Sequence, residues 1–365
     1  MGGVLAMAAL LAALLPLLLP LGGHATRIEV HSCPEGQQPP VSSDASVVSV
    51  CSVGEAARWV GAAAAAAARE RVEVCLHPGA PHVLSEPVYL DRSHSRTTWS
   101  SCGGARAVVS GGVAIPSWAP ARGHEGLWAA ALPTRLRYLR TLWVNGVRAN
   151  RTVANASALL GDLLNTSSGY VSQRPVPWST AEAEDTVELN YFQQLAPWQA
   201  QRCVVTHASG HSLSLAQPCL ANLTKMILGV PGLPRNRSSG RTGCADSDPG
   251  CGGLLGNPLG SGLPMWVENI PLTQPGMRSS AGQFWFSRRR QQVYYHPHPH
   301  ELSSDGRRFT AEVVAPVAEG LIVAKDLEDV TFEGLAFQHM AYNQPSTPEG
   351  FIDLQDGLQA NSGIP

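Results

Sequence analysis

The stretch that most constrains the fold runs from Glu319 to Met340 and reads EGLIVAKDLEDVTFEGLAFQHM. Its apolar residues recur at every second position over short runs, which Asp326 and Gly334 interrupt. This alternation predicts short strands with alternate side chains pointing inward, whereas an amphipathic helix needs spacings of three or four. Short strands joined by tight turns are what one coil of a solenoid requires.

The first 25 residues are almost wholly apolar and end on Gly23-His24-Ala25, which places small residues around a cleavage site before Thr26. They predict a secretory signal peptide, with an uncleaved signal anchor as the alternative. No later stretch approaches the ~18 continuous apolar residues of a membrane span. We therefore expect a secreted, extracellular protein with no membrane contact after signal cleavage.

Two further features agree with export. Five sequons in a short region predict N-glycosylation at Asn150, Asn155, Asn165, Asn222 and Asn236. The eight cysteines lack the CxxC spacing of metal ligands, so disulfides in an oxidising compartment are expected. Proximity along the chain suggests that Cys33 pairs with Cys51, Cys75 with Cys102, Cys203 with Cys219, and Cys244 with Cys251, although sequence does not fix the connectivity.

Charge and composition exclude some partners and some architectures. The net charge is −2 and only 15% of residues are charged, so nothing favours nucleic acid or an anionic surface. The 36 glycines and 28 prolines favour many turns and few long helices. One helix is nevertheless predicted, because Ser52-Val53-Gly54-Glu55 fits a capping box and opens an alanine-rich run to about Arg71.

After this helix the chain reads VEVCLHPGAPHVLSEPVYLD, then TTW, then AVVSGGVAIPSW. These motifs resemble the N-terminal cap and first coils of secreted glycosidases with the right-handed parallel β-helix, or pectin-lyase-like, fold. Three later segments, LWVNGVRANRT, WVENI and QFWFSRRRQQVYYHP, are similar to an inserted β-sandwich-like region of that family. Arg288-Arg289-Arg290 stands where the family has an acidic-Arg turn. The resemblance covers residues 50–360, patchily in the middle.

Pattern and resemblance together predict an all-β protein, a right-handed parallel β-helix with an N-terminal capping helix and an inserted β-sandwich-like subdomain. The expected organisation is a signal peptide over 1–25, the cap and first coils over 26–115, an inserted β-rich subdomain with glycosylated and disordered loops over 116–308, and resumed coils over 309–365. Within the subdomain, the glycosylated residues 150–180 are interpreted as a surface loop. Few coils are found and one coil cannot bury its own core. The chain is therefore expected to be incomplete at its C-terminus, as a fragment, a truncated gene product or a short isoform.

The resemblance implies a secreted polysaccharide-active protein, the N-terminal part of a glycoside hydrolase for plant-type or algal glycans, monomeric and without a cofactor. The alternative is a non-catalytic carbohydrate-binding or cell-surface adhesion protein, since β-helices host several activities. Facing acids on adjacent coils would favour the enzyme, and a groove of aromatics and amides would favour the binder. A third interpretation is a truncated product that never folds stably, signalled by an exposed apolar face.

Glycoside hydrolysis needs two carboxyl groups across the scissile bond, one of them protonated. Glu349, Asp353 and Asp356 lie in the segment PEGFIDLQDG, but solvated loop carboxylates are the simpler interpretation, so the catalytic residues stay unassigned. His339, Asp353 and Gln355 are the residues expected to contact the hydroxyl groups of a bound sugar.

Two other motifs are interpreted structurally. His296, His298 and His300 in HPHPH suggest a metal site, but the prolines and the lack of a local fourth ligand favour a solvated extended loop, so no metal is expected. A second set of residues, the tryptophans on short predicted strands, is more often core than sugar platform. These are Trp143, Trp266 and Trp285.

Overall fold

The structure is a computed structural model of the 365-residue chain. It describes residues 27–44, 46–66, 71–178, 187–193, 196–228, 263–272, 280–355 and 358–359. The predicted signal peptide and the sequon at Asn236 lie outside these residues. Within them, no helix has both the length and the apolarity that crossing a membrane requires.

Strands dominate the described residues, which confirms the all-β class. In chain order they are β1 (Arg27–Val30), β2 (Val47–Val50), β3 (Val72–Leu76), β4 (His82–Val83), β5 (Val88–Leu90), β6 (Thr97–Ser101), β7 (Ala107–Ser110), β8 (Gly112–Ala114), β9 (Ala119–Pro120), β10 (Trp128–Ala131), β11 (Trp143–Val144), β12 (Val147–Arg148), β13 (Asn150–Arg151), β14 (Val153–Asn155), β15 (Leu163–Thr166), β16 (Gly169–Ser172), β17 (Glu188–Gln193), β18 (Ala196–Ser209), β19 (Ser212–Leu215), β20 (Trp266–Glu268), β21 (Gln283–Ser287), β22 (Gln292–Tyr295), β23 (Val313–Pro316), β24 (Ile322–Ala324), β25 (Val330–Glu333), β26 (Leu335–Gln338), β27 (Asp353–Gln355) and β28 (Leu358–Gln359). The α-helices are α1 (Val53–Ala66), α2 (Ala156–Leu160) and α3 (Cys219–Leu228).

Helix α1 begins where the sequence predicts. The Ser52 hydroxyl accepts a hydrogen bond from the Glu55 backbone N–H at 3.2 Å. The Glu55 carboxylate reaches back to the N–H of Cys51 at 2.9 Å, one residue further than an ideal capping box. The described part of the helix ends at Ala66, and residues 67–70 of the predicted run lie outside the described ranges.

The chain divides into two compact units. Unit 1 comprises residues up to Gly111 together with Gly320–Gln338, and unit 2 comprises Gly112–Glu319 and the residues from His339 onward. The named strands of unit 1 pair in parallel, in three sheets with the orders β2-β1-β3-β6-β25, β4-β7-β26 and β5-β24. The Glu319–Met340 stretch supplies the last strand of each sheet, as its period-two alternation indicates.

The parallel register of unit 1 stacks like residues into columns. Val74 pairs with Trp99, and Trp99 pairs with Phe332. The column is buried at Val74 and Trp99, but Phe332 at its end keeps 38% of its surface exposed. Asp326 and Gly334, the predicted turn positions, adopt positive φ angles of 58° and 65° between the strands.

Unit 2 is built differently. Its sheets have the orders β13-β21-β22-β10-β9, β12-β11-β23-β8, β14-β20-β17-β18-β19-β16-β15 and β27-β28. Their strands pair antiparallel, apart from β13 with β21. The described sheets are therefore parallel in unit 1 and mainly antiparallel in unit 2, and the right-handed parallel β-helix stays a prediction.

Two local predictions in unit 2 had opposite outcomes. The Asn145-Gly146 turn between β11 and β12 is confirmed, with φ angles of 49° and 74° as a type I′ turn requires. The interpretation of residues 150–180 as a surface loop is wrong, because the segment contains β13 to β16 and α2. Leu160 and Tyr170 are buried there, and their burial against the seven-stranded sheet outweighs the polar composition of the segment.

Three disulfides link cysteines that are close along the chain. Unit 1 contains Cys33–Cys51 and Cys75–Cys102, and unit 2 contains Cys203–Cys219. These are three of the four pairs that proximity suggested, and they fit a protein that folds in an oxidising compartment.

The fourth suggested disulfide is not among those that the structure describes. Its two cysteines, Cys244 and Cys251, both lie in the gap between residues 228 and 263, outside the described ranges. The bond from Cys244 to Cys251 therefore stays a prediction, and neither Cys244 nor Cys251 is assigned a partner by the structure.

Candidate functional site

The residues predicted to contact sugar fall in one segment of unit 2, residues 339–355. His339 opens the segment, and the backbone of Asp353 and Gln355 forms β27, which pairs with β28. Asp356 lies outside the described residues. Glu349 is exposed, and a hydrogen bond from the Thr347 hydroxyl lowers the pKa of its carboxyl group. The prediction of a solvated loop carboxylate therefore agrees with its position.

Gly350 fixes the path of this segment. Its φ angle is +64°, and a Cβ atom there would lie 2.2 Å from Cys219 Sγ and 2.4 Å from the Arg202 carbonyl oxygen. The next residue, Phe351, exchanges two backbone hydrogen bonds with Arg202, at 2.8 and 2.9 Å. Only glycine allows this close approach, so the segment is held against β18 and the Cys203–Cys219 disulfide.

A buried group of charges lies beneath the segment. Arg151 bridges two carboxylates, with contacts of 3.0 Å to Glu188 and 3.3 Å to Glu268. Arg140 also binds Glu188, and Arg202 approaches Glu268 at 3.4 Å. Glu188 is completely buried, so these arginines replace the solvation that its charge loses.

The charge group is tied to the segment through Ser346. The Ser346 hydroxyl donates to Glu188 and accepts a hydrogen bond from Arg140 at 3.0 Å. Asn190 adds a 2.7 Å hydrogen bond to the other carboxylate, Glu268. The segment is thus held at Ser346 by hydrogen bonds to Glu188 and Arg140, and at Gly350 by close packing. The residues between His339 and Gln344 form its outer side.

The protonation state of Glu188 limits its chemistry. Burial by itself would raise the pKa of this carboxyl group, but Arg151 and Arg140 lower it to about 2. An acid that stays ionised near neutral pH cannot donate the proton that a glycosidase gives to its leaving group. Glu188 is therefore structural, although a second carboxylate, Glu268, shares Arg151 with it.

The outer side of the segment presents aromatic rings and amides. Tyr342 is half exposed, and its ring meets Phe351 edge-on at 6.4 Å between centroids. Its hydroxyl lies 3.5 Å from the side-chain oxygen of Gln344. The Asn343 N–H donates to Glu319 at 3.0 Å, and Met340 is also more than half exposed. We call Met340, Tyr342, Asn343 and Gln344 the Tyr342 surface.

His339 stands beside this surface in a constrained conformation. Its φ angle is +57°, and its ring packs edge-on against Trp143 at 5.5 Å. Partial burial lowers the pKa of His339 and Glu312 opposes this, so the imidazole is neutral at pH 7. A neutral imidazole offers both a donor and an acceptor, which suits a sugar hydroxyl.

The other motifs are structural for the most part. Trp285 is buried in the core, Trp266 keeps 38% of its surface exposed, and Trp143 is half-buried. The prediction of an extended solvated loop at HPHPH is wrong, because the chain turns at Pro299–Glu301. The prediction that this motif lacks a nearby carboxylate is also wrong, since buried Glu301 accepts hydrogen bonds from the Tyr295 hydroxyl and the His298 N–H.

Four predicted glycosylation sites lie in described residues. Asn150 and Asn155 are exposed, and Asn165 and Asn222 are half-buried. Asn155 also caps α2, because its side-chain oxygen accepts a hydrogen bond from the Ala158 N–H at 2.9 Å.

Sequence reasoning missed the charge group and the Tyr342 surface. The charge group joins residues from β13, β17, β18 and β20, which no linear spacing brings together. The Tyr342 surface did carry a signal, since an aromatic residue followed by Asn343 and Gln344 combines an apolar ring with amides.

Comparison with known proteins finds a solved structure of similar fold but no matching family. No protein family and no curated protein matches the chain. A solved structure of a glycoside hydrolase is similar in fold, with a TM-score of 0.62 and 18% sequence identity over 92% of this chain. The match covers 54% of that protein, so the present chain spans about half of its length.

Proposed function

We propose that the chain is a secreted polysaccharide-active protein that binds glycan at the Tyr342 surface. The fold similarity to a glycoside hydrolase, which extends over 92% of the chain, carries this proposal. The parallel sheets of unit 1 support the finer assignment, a right-handed parallel β-helix that forms the N-terminal part of a hydrolase for plant-type or algal glycans.

The chemistry of the Tyr342 surface supports glycan as the ligand. A sugar ring has apolar C–H faces that pack on aromatic side chains, and hydroxyl groups that need hydrogen-bond partners. Tyr342 offers an exposed ring, while Gln344 and His339 offer polar atoms beside it. The buried charges under Ser346 and the tight packing of Gly350 hold this surface rigid, which reduces the entropy lost on binding.

A second candidate is a non-catalytic carbohydrate-binding or adhesion protein. The observation that favours it is the state of Glu188, because Arg151 and Arg140 lower the pKa of its carboxyl group to about 2 inside unit 2. A surface of aromatics and amides without a protonated acid is what a binder needs. The two candidates share the Tyr342 surface and differ in whether a bound glycan is cleaved.

A binding experiment tests what the candidates share. The secreted chain is screened against immobilised plant and algal polysaccharides, and the best ligand is titrated against wild type and Tyr342→Ala. We expect the variant to bind about tenfold more weakly, equal to roughly 1.4 kcal/mol. Tyr89→Ala is the matched control, because this tyrosine is also exposed but lies in unit 1. Equal affinity of Tyr342→Ala and wild type would contradict the proposed site.

A product assay then separates the candidates. The chain is incubated with the polysaccharide it binds, and newly formed reducing ends are measured over time. Release of reducing ends that Tyr342→Ala slows, without the unsaturated sugar ends that a lyase forms by elimination, would establish a hydrolase. Binding without release would establish the non-catalytic protein.

A further inference from the structure

Three side chains able to bind a metal ion meet at the carboxyl ends of two neighbouring strands in unit 1. Glu29 lies in β1, His31 follows that strand, and His77 follows β3. The His77 N–H donates to the Val30 carbonyl at 2.9 Å, which continues the parallel register past the strand ends. The two imidazole rings consequently stack, with centroids 4.1 Å apart.

The spacing of the three groups is close to that of a metal site. Glu29 Oε2 lies 3.3 Å from His77 Nε2, and one ligand atom from each residue lies within 4.8 Å of the others. Ligands at the usual 2.0–2.2 Å from a tetrahedral zinc ion are about 3.3 Å from one another. Glu29 Oε2 and His77 Nε2 already have that spacing.

His31 has an unused nitrogen in this cluster. Its Nε2 is buried and has no hydrogen-bond partner, a state that a folded protein rarely leaves uncompensated. A neutral imidazole carries a lone pair on one ring nitrogen, and that nitrogen is the atom through which histidine binds a metal ion. Arg27 contacts the other oxygen of Glu29 at 3.3 Å, which leaves Oε2 directed at His77.

The surrounding structure holds the histidines in place. Cys33 and Cys75, each two residues from one of the histidines, are in the disulfides Cys33–Cys51 and Cys75–Cys102. His82 Nε2 contacts the carbonyl oxygen of His77 at 2.9 Å. An open cavity of about 320 Å³, lined by His31 and His77, gives an ion a route in and room for a bound water.

We propose that Glu29, His31 and His77 bind a zinc ion, with water in the fourth position. Two imidazoles and one carboxylate are a ligand set that zinc favours over calcium or magnesium, which prefer oxygen ligands. The site is invisible in the sequence, because parallel pairing of β1 and β3 brings together residues that are far apart along the chain. It lies in unit 1 and does not depend on the glycan proposal.

The test is calorimetric titration of the EDTA-treated full chain with zinc chloride, and with calcium chloride for comparison. We expect one zinc ion per chain, no calcium binding at this site, and binding about 30-fold or more weaker in His31→Gln and His77→Gln. His300→Gln is the matched control, because it removes an exposed histidine from the HPHPH motif and should bind as wild type does. Wild-type affinity in both His31→Gln and His77→Gln would overturn the proposal.

A second measurement uses the unaltered chain, in case a variant fails to fold. Histidines are modified with diethyl pyrocarbonate with and without zinc, and the modified sites are located by mass spectrometry. Zinc should protect His31 and His77 several-fold while leaving His300 unchanged. Equal modification of His31 and His77 with and without saturating zinc would also overturn the proposal.

Discussion

Units 1 and 2 both bury apolar side chains, but unit 2 also encloses a group of charged ones. Unit 1 stacks apolar residues in register, as in the column Val74, Trp99 and Phe332. Unit 2 encloses a charge group in which Glu188 is completely buried among arginines. A column of apolar residues tolerates substitutions that conserve volume at a modest cost, whereas a buried charge needs its partners to be present.

The comparison has a functional side. In unit 2, Ser346 joins the charge group to the segment that carries the Tyr342 surface. The part of the interior that is most sensitive to substitution therefore positions the surface that we propose binds glycan. In unit 1 the disulfides perform the corresponding task for His31 and His77. One unit uses buried charge for precision at its site, and the other uses covalent links.

The largest expected effect is the loss of Glu188. Glu188→Ala removes one of the two carboxylates that the buried Arg140 and Arg151 share and leaves Glu268 to both, so we expect a loss of about 3–5 kcal/mol in the free energy of unfolding. Urea titration followed by circular dichroism measures it, with hydrogen exchange in β17 and β18 reporting on unit 2. The exposed Glu312 gives the control, and Glu312→Ala should stay within about 0.5 kcal/mol of wild type. A loss below about 1 kcal/mol in Glu188→Ala would refute the contrast.

An effect as large is expected in unit 1, where the buried middle of the column, Trp99, is compared with its partly exposed end, Phe332. Trp99→Ala removes a fully buried ring and should cost about 3–5 kcal/mol in the free energy of unfolding. Phe332→Ala should cost about half as much, because that ring already contacts solvent over 38% of its surface. Parallel urea titrations compare the two variants. Equal losses would mean that the end of the column is covered in solution.

The two units also differ in how much of them the sequence predicts. The strands of unit 1 follow from alternation and turn residues, since the same local rule applies at each strand and turn, as at Val72–Leu76 and Gly334. In unit 2 the Asn145-Gly146 turn is equally local and was predicted. The Glu188 network was not, because its members come from separate strands and only the folded sheet brings them together.

The candidate site shows the same limit. His339 was predicted from its place after a strand, and its contact with Trp143 depends on a pairing that no spacing reveals. The buried strands of residues 150–172 were missed because their polar residues resemble those of a loop, while the buried positions such as Leu160 and Tyr170 are few. The amino-acid composition of a strand counts the residues on both of its faces, whereas only the residues on one face are buried.

A pH titration tests the role of buried charge in unit 2, with an expected effect of intermediate size. The pKa of Glu188 is about 2 in the folded chain and 4.5 ordinarily, so its stabilisation is fully present above pH 4.5 and is lost as the pH falls toward 2. The loss from this one group is roughly 3 kcal/mol at most. Urea midpoints at pH about 6, about 4 and about 3 should fall more steeply for wild type than for Glu188→Gln, which starts lower but has no such proton to bind. Identical slopes would show that Glu188 is not held ionised by its arginines.

The smallest expected effect is at the predicted turn of unit 2. Gly146 has a φ angle of +74°, and a Cβ atom added there would meet no heavy atom within 4 Å. Gly146→Ala therefore tests backbone strain alone, and we expect a loss of about 1 kcal/mol in the free energy of unfolding. Gly146→Asn should lose less, because asparagine tolerates positive φ better than alanine does. Equal stability of the alanine and asparagine variants would show that the backbone of the turn changes to avoid the positive φ angle. The turn conformation would then depend on the pairing of β11 with β23 and not on the residues Asn145 and Gly146 alone.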